Sequence, residues 1–174
     1  MDNLSTYFID RIVQWQPFFI TVATVAGTLV GLLFISLSIN RDIVAPTANP
    51  AQLRLARRSF ADFIFIVLIS LYFLIPLQDG HYLALELWVI GALKARLLFK
   101  QIRQASRGAE KPTWGDLVRE YVFPILSVAG LVMAGIELHG EHMMGVYNYV
   151  VPVLATLLAS GCSNAWQLLI LEKK

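Results

Sequence analysis

Charge is scarce in this chain: 15% of its 174 residues are Asp, Glu, Lys or Arg, while 57% are hydrophobic. An ordinary soluble domain has about 25% charged and about 45–50% apolar residues, so the composition excludes a soluble globular protein. Cysteine is almost absent, and the single Cys162 excludes a fold held by internal disulfides. The formal net charge of +2 is too small for the phosphate neutralisation that nucleic-acid binding needs. We therefore expect a membrane protein with no nucleic-acid partner.

Sequence motifs of catalysis are missing as well, since no HExxH, GxSxG or P-loop pattern occurs. Small polar residues cluster at 160–164, and Cys162 among them lies about 22 Å along a helix from Tyr147. All three histidines are predicted at the opposite membrane surface, so no Ser–His or Cys–His pair can form. We expect these small residues to pack between helices, with Asn164 bonding across to a neighbouring helix. We therefore do not expect the chain to be an enzyme or to bind a cofactor.

Five apolar blocks are long enough to cross a membrane, because a hydrocarbon core of about 30 Å takes about 20 helical residues. No basic n-region or cleavage site accompanies the first block, so we expect it to stay in the protein. Pro17 opens this block, and Pro76 ends the second. The predicted fold is an all-α polytopic membrane helix bundle, a single domain over 1–174, with spans at about 18–39, 60–77, 82–99, 121–136 and 147–171.

The third block is the weakest, because Glu86, Lys94 and Arg96 lie inside it. Cytoplasmic loops carry an excess of Lys and Arg, and five spans with the amino terminus outside place 13 of the 14 basic residues on the cytoplasmic side. Without the third span the split is at best 10 to 4. We therefore predict five spans, an internal carboxyl terminus and cytoplasmic loops at about 40–58 and 100–119. Lys94 and Arg96 would then snorkel to the cytoplasmic interface.

Two stripes of residues run along the first span, one of small residues and one of threonines. Ala23, Gly27 and Gly31 repeat every four residues, a spacing that lets two helix backbones approach closely in lipid. The partner is a helix of the same chain, which is the commoner case, or a helix of a second copy. Thr21, Thr24 and Thr28 form the second stripe, which lines a pore or, more commonly, bonds back to its own helix carbonyls.

Two acids lie inside apolar blocks, where an ionisable residue marks a candidate functional site. Asp62 is predicted in the first turn of the second span, with Arg58 one turn earlier as its natural partner. In that position an ion pair or the helix dipole explains Asp62 without a transport role. Glu86 is less readily paired with a local residue and is the better candidate for facing a cavity.

The histidines fall in the two short outer loops of this topology, beside several acids. These residue types suit a divalent ion such as zinc, or a surface that changes charge between about pH 5 and 8. The spacing matches no established metal motif, so a pH-responsive surface is the preferred interpretation. The residues concerned are His81, His139, His142, Glu137 and Glu141.

The first half of the chain resembles a known group of proteins. The resemblance is carried by the segment from Gly31 to Asn40, by Arg57 and Arg58 before the next span, and by Pro76 at the end of that span. That group is the small uncharacterised bacterial integral membrane proteins. The resemblance implies a multi-pass protein of the bacterial inner membrane, and it implies no activity.

Three functions remain open. The favoured one is a homo-oligomeric, channel-like protein that forms or lines an ion or small-solute pathway, because it needs no unseen partner. The second is a non-conducting module that binds another membrane protein through the Gly27 and Gly31 face and the basic second cytoplasmic loop. The third is an outer-surface metal or pH sensor. Membrane lipid is a further expected partner, since basic loops attract anionic headgroups. The polar residues that would repeat around a pathway are Asp62, Glu86, Thr21, Thr24, Thr28 and Asn164.

Overall fold

The computed structural model describes residues 2–39, 50–76, 80–105, 121–140 and 145–171. Over these residues the fold is all-α, with five helices and no strand. The helices are α1 (Asp2–Ile39), α2 (Pro50–Leu74), α3 (Gly80–Ala105), α4 (Phe123–His139) and α5 (Val146–Leu171). Each predicted apolar block lies within one helix or overlaps it, so the all-α fold class is confirmed.

Two helices are long and apolar enough to cross a membrane: Val13–Ile39 of α1 and Val146–Leu168 of α5. Phe123–His139, which is α4, is apolar but shorter. The other two helices, α2 and α3, carry charged residues along their length. The arrangement of five spans therefore stays a prediction.

Three helices are longer than the predicted spans. Helix α1 begins at Asp2, so Pro17 lies inside it and not in its first turn. Helix α2 begins at Pro50, inside the predicted loop 40–58, which places Asp62 about three turns beyond the helix start. The prediction of Asp62 in the first turn is therefore wrong, and the helix-dipole explanation does not apply. Helix α3 extends to Ala105, inside the predicted loop 100–119.

The chain divides into two compact units. The first unit comprises Met1–Gln14 and Ile75–Thr156, and the second comprises Trp15–Leu74 and Leu157–Lys174. Because α1 and α5 each cross a boundary between units, both helices contribute to both.

In the first unit, α3 packs on α4 at small residues. A Cβ atom added to Gly91 of α3 would lie 3.6 Å from Leu131 of α4. A Cβ added to Gly135 of α4 would overlap the indole of Trp88 on α3. A glycine at this position therefore leaves the space that the ring occupies. The indole Nε1 donates to the Val132 carbonyl at 3.4 Å. Leu131 is fully buried in this core.

In the second unit, α1, α2 and the end of α5 share an apolar core. Phe19 and Phe73 stack with ring centroids 4.5 Å apart. Leu33, Ala56 and Leu168 form a buried cluster contributed by the three helices. Helix α1 thus contributes Phe19 and Leu33 to this core from one narrow side, and most of its described surface lies outside the core.

Candidate functional site

Asp62 lies deep inside the second unit. Its side chain is 3% exposed, and its neighbours on α2 include Phe63, Phe65 and Ile66, all buried. An acid in such apolar surroundings needs hydrogen-bond partners, because burying an unsatisfied charge costs several kcal/mol. Ser160 of α5 supplies one: its hydroxyl donates to Asp62 Oδ2 at 2.7 Å.

Asn164 extends this hydrogen-bond chain by one turn of α5. Its Nδ2 donates to Ser160 Oγ at 3.4 Å, and both side chains are buried. The single proton of the Ser160 hydroxyl goes to Asp62, so the Asn164 amide faces Ser160 with its NH₂ group. The other amide atom, Asn164 Oδ1, is buried and has no hydrogen-bond partner among the described residues.

The helices α2 and α5 approach closely at this site because of a glycine. A Cβ atom added to Gly161 would lie 2.6 Å from the ring of Phe63, so only glycine leaves room for that ring. Asp62 contacts Ser160, whereas Ala56, earlier on α2, clusters with Leu168, later on α5. The two helices are therefore antiparallel here.

That antiparallel register adds a fourth polar side chain, Ser59. It precedes Asp62 by about one helical turn, and Asn164 follows Ser160 by about one turn, so Ser59 and Asn164 lie at the same level on facing helices. Ser59 is fully buried, and its hydroxyl has no hydrogen-bond partner within the described part of the chain. We call Ser59, Asp62, Ser160 and Asn164 the polar cluster.

The first-span threonines lie elsewhere. Each hydroxyl donates to the carbonyl four residues earlier in α1: Thr21 to Pro17 at 2.7 Å, Thr24 to Ile20 at 2.8 Å and Thr28 to Thr24 at 2.8 Å. All three are exposed. This bonding is the commoner of the two interpretations of the stripe, and it leaves the hydroxyls satisfied inside one helix.

The glycines of the small-residue stripe contact no neighbouring helix within the described residues. Gly27 and Gly31 are exposed, and apart from the adjoining residues and nearby backbone of α1 itself, no atom of the described residues lies within 4 Å of a Cβ added to either. Among the described residues Gly27 and Gly31 thus have no intrachain packing partner, because α1 buries a different side there. Over 13–39, where its side chains are described, the buried residues of α1 are Phe19, Ala26 and Leu33, one every seven residues. Packing against a second copy stays a prediction.

Charged residues of the third helix fall in different surroundings. Glu86 is half-buried. Lys94 is only 5% exposed, so it lies inside the first unit, and the prediction that it snorkels to the surface is wrong. Arg96 is exposed, as that prediction requires.

The structure brings two of the three histidines together. The rings of His81 and His139 lie 5.3 Å apart at an edge-to-face angle, and Trp88 lies 5.7 Å from His139. Both histidines are exposed and Glu137 is half-buried. Glu141 and His142 lie outside the described residues. Within the described residues, no group of three His, Cys, Asp or Glu side chains could hold a metal ion.

Sequence analysis missed Ser59 and the contact of Asp62 with Ser160. A weak signal for Ser59 exists, because it lies three residues before Asp62 and therefore on the same helix face. No local pattern points to Ser160 as the partner of Asp62, since 98 residues separate them.

Comparison of the chain with protein-family models, with curated proteins and with solved structures finds no match in any of the three. The polar cluster is therefore interpreted from its own chemistry.

Proposed function

We propose that this chain is a multi-pass protein of the bacterial inner membrane and that it passes a small ion or solute along a path that includes Asp62. The observation that carries the proposal is the burial of this carboxylate among apolar side chains, midway along a helix. Acids in membrane-spanning helices are expensive, and they mark ion pathways and proton relays.

Membrane insertion is supported by the apolar surface that the helices expose. Only 17% of the most apolar window of α1 is buried, and Phe34 is 66% exposed. Water would make so much exposed apolar surface unfavourable, whereas lipid favours it. The basic loops favour an external amino terminus and five spans.

The polar cluster favours a path within one chain over a path along an axis between copies. Asp62 and Asn164 are buried inside the second unit, so neither reaches a surface where copies meet. The threonines do reach the surface, but their hydroxyls are already bonded within α1. Self-association through Gly27 and Gly31 is a separate proposal, which native mass spectrometry of the purified protein tests by copy number.

The test is flux through liposomes that contain the purified protein, with Asp62→Asn as the key variant. Asparagine keeps an oxygen that accepts the Ser160 proton, so the helix contact is retained while the charge is lost. We expect flux to fall by about tenfold or more, the size of effect that follows loss of one electrostatic group. Arg54→Gln is the matched control, because Arg54 is an exposed charge on the same helix.

Equal flux for the wild type and Asp62→Asn would contradict the role of Asp62. Absence of flux for every ion tested, over a range of pH, would contradict a pathway altogether. That second outcome would favour the non-conducting module that binds another membrane protein.

A further inference from the structure

We infer that a groove between α3 and α4 binds one anionic phospholipid of the cytoplasmic leaflet, with an acyl chain in the groove and the headgroup phosphate at Arg96 and Lys100. The inference goes beyond the path at Asp62 and does not depend on it. It rests on the membrane insertion that the proposed function includes.

The groove lies on the surface of the first unit and has a volume of about 420 Å³. Trp88, small residues of α3 and branched residues of α4 line it, the last two groups being Gly91, Ala92, Ala95, Val128, Val132 and Ile136. Ala92, Val132 and Ile136 are exposed, so the groove opens outward. Its walls carry no charged side chain. Apolar walls around a few hundred Å³ suit an apolar ligand group, here a hydrocarbon chain.

Positive charge follows the groove toward the carboxyl-terminal end of α3. Arg96 lies one turn beyond the lining residue Ala92, and Lys100 lies one turn beyond Arg96. Both basic side chains are exposed. Arginine and lysine make charge-assisted hydrogen bonds to phosphate, and basic sites between membrane helices on the cytoplasmic side bind anionic headgroups. Charge complementarity therefore selects an anionic lipid as the occupant.

The length of this arrangement matches one leaflet. Trp88 and Lys100 are 12 residues apart, which corresponds to about 18 Å along a helix. Half of a bilayer, including its headgroups, is about 20–22 Å thick. The predicted topology directs the carboxyl-terminal end of α3 to the cytoplasm. A lipid of the cytoplasmic leaflet then has its chain beside Trp88 and Ala95 and its phosphate beside the two basic residues.

A second copy of the chain is the alternative occupant of the groove. Copies in one membrane share an orientation, so a two-fold axis between them runs along the membrane normal, and each residue meets its counterpart at the same depth. Contact through the groove would bring Arg96 and Lys100 of both copies together, and like charges repel. The same charges attract an anionic headgroup, so they favour the lipid.

The experiment is native mass spectrometry of the full chain in detergent, titrated with phosphatidylglycerol or with phosphatidylcholine that has the same acyl chains. The spectra report the number of bound lipids and the number of protein copies together. Arg96→Gln/Lys100→Gln removes the charge at the headgroup position. Arg54→Gln/Arg57→Gln is the matched control, because it removes two exposed basic residues from α2.

A second pair of variants tests the groove itself. Ala92→Phe places an aromatic ring in the groove at an exposed position. Ala129→Phe is the matched control, because Ala129 is exposed on α4 and is not a lining residue of the groove. Should Ala92→Phe fail to fold, the charge variants still decide.

We expect the wild type to bind phosphatidylglycerol about thirtyfold more tightly than phosphatidylcholine, the effect of two basic residues near a headgroup. Arg96→Gln/Lys100→Gln should abolish this preference, and Arg54→Gln/Arg57→Gln should keep it. Ala92→Phe should weaken the binding of both lipids by about tenfold, because it displaces about two methylene groups from the groove. Ala129→Phe should leave both affinities unchanged.

Equal affinity of the wild type for the two lipids would overturn the lipid site. A preference that both charge variants reduce equally would overturn it too, because the attraction would then be general. Wild-type binding of both lipids by Ala92→Phe would place the acyl chain outside the groove and contradict the inference. Dimers that Ala92→Phe alone abolishes would identify a second copy as the occupant.

Failure of the proposed function gives different results. Recovery of the chain from the cytosol without detergent would contradict membrane insertion. Absence of flux in liposomes, together with a lipid preference that depends on Arg96 and Lys100, would contradict the path and leave the lipid site standing. Flux without a lipid preference would contradict the lipid site alone.

Discussion

Glycines of this chain have different roles that their sequence contexts do not distinguish. Gly27 and Gly161 both lie in long apolar helices beside other small residues. A Cβ added to Gly161 meets the buried ring of Phe63 at 2.6 Å, whereas a Cβ added to Gly27 meets no atom of the described residues within 4 Å. Gly161 is therefore required by packing between α2 and α5, and Gly27 is not required by any described contact within the chain.

Gly161→Ala is expected to destabilise the protein by about 1–3 kcal/mol, because Phe63 is buried and has little space to move. Thermal unfolding in detergent measures the loss. Gly27→Ala is the matched control, and it should be neutral or stabilising by up to about 1 kcal/mol, because alanine has the higher helix propensity. If Gly27→Ala instead lowers both stability and copy number, the Gly27 face packs against a second copy.

Burial also distinguishes the polar residues. The threonines at 21, 24 and 28 bond within their own helix, as their spacing allows, and sequence analysis gave this as the commoner outcome. Asp62 could be recognised as unusual from sequence, but its depth could not. The α2 helix begins ten residues before the apolar block, so an acid expected near a helix start lies in the interior.

At the scale of helices, the contact between α3 and α4 depends on one aromatic ring and one glycine. Trp88 of α3 occupies the space beside Gly135 of α4, and its indole donates to the Val132 carbonyl. The same helices line an apolar groove of about 420 Å³, with no charged residue among its lining side chains. Close packing of complementary apolar surfaces therefore holds the two helices together, and such packing is sensitive to added atoms.

Gly135→Ala is expected to weaken the α3–α4 pair by about 1–3 kcal/mol, because the new methyl group overlaps the indole. The Trp88→Leu substitution should lower thermal stability less when Gly135→Ala is already present, because the smaller leucine side chain leaves room for the added methyl group. A double-mutant cycle on thermal stability measures this coupling. Simple additivity of the two changes would show that the contact does not hold the pair.

At the scale of the whole molecule, exposed large apolar side chains occur on all five helices. Examples with at least half of their surface exposed are Phe34, Leu71, Tyr82, Ile125 and Trp166. Helices whose outward faces are this apolar are typical of proteins surrounded by lipid. This observation includes α2 and α3, although both helices also carry charged residues along their length.

The predicted orientation has a direct test in single-cysteine variants. In a Cys162→Ser background, we expect Asn148→Cys to react with a membrane-impermeant maleimide in intact cells, and Lys100→Cys to react only after permeabilisation. Both positions are exposed, one at the start of α5 and one near the end of α3. Five spans with an external amino terminus place them on opposite sides. Labelling of both from the same side would contradict that topology.

Composition and local spacing by themselves determined that the chain is all-α and apolar, and roughly where its helices lie. They also indicated that the threonines bond within α1. These properties follow from interactions between residues a few positions apart, which the sequence displays directly.

Only the tertiary structure decided which side of α1 is buried, which glycine is indispensable, and that Asp62 meets Ser160 from 98 residues away. Each of these depends on how two helices are rotated and shifted against each other. That arrangement is set by the packing of many side chains at once, so no local pattern contains it. The polar cluster is therefore visible in the fold and only partly in the sequence.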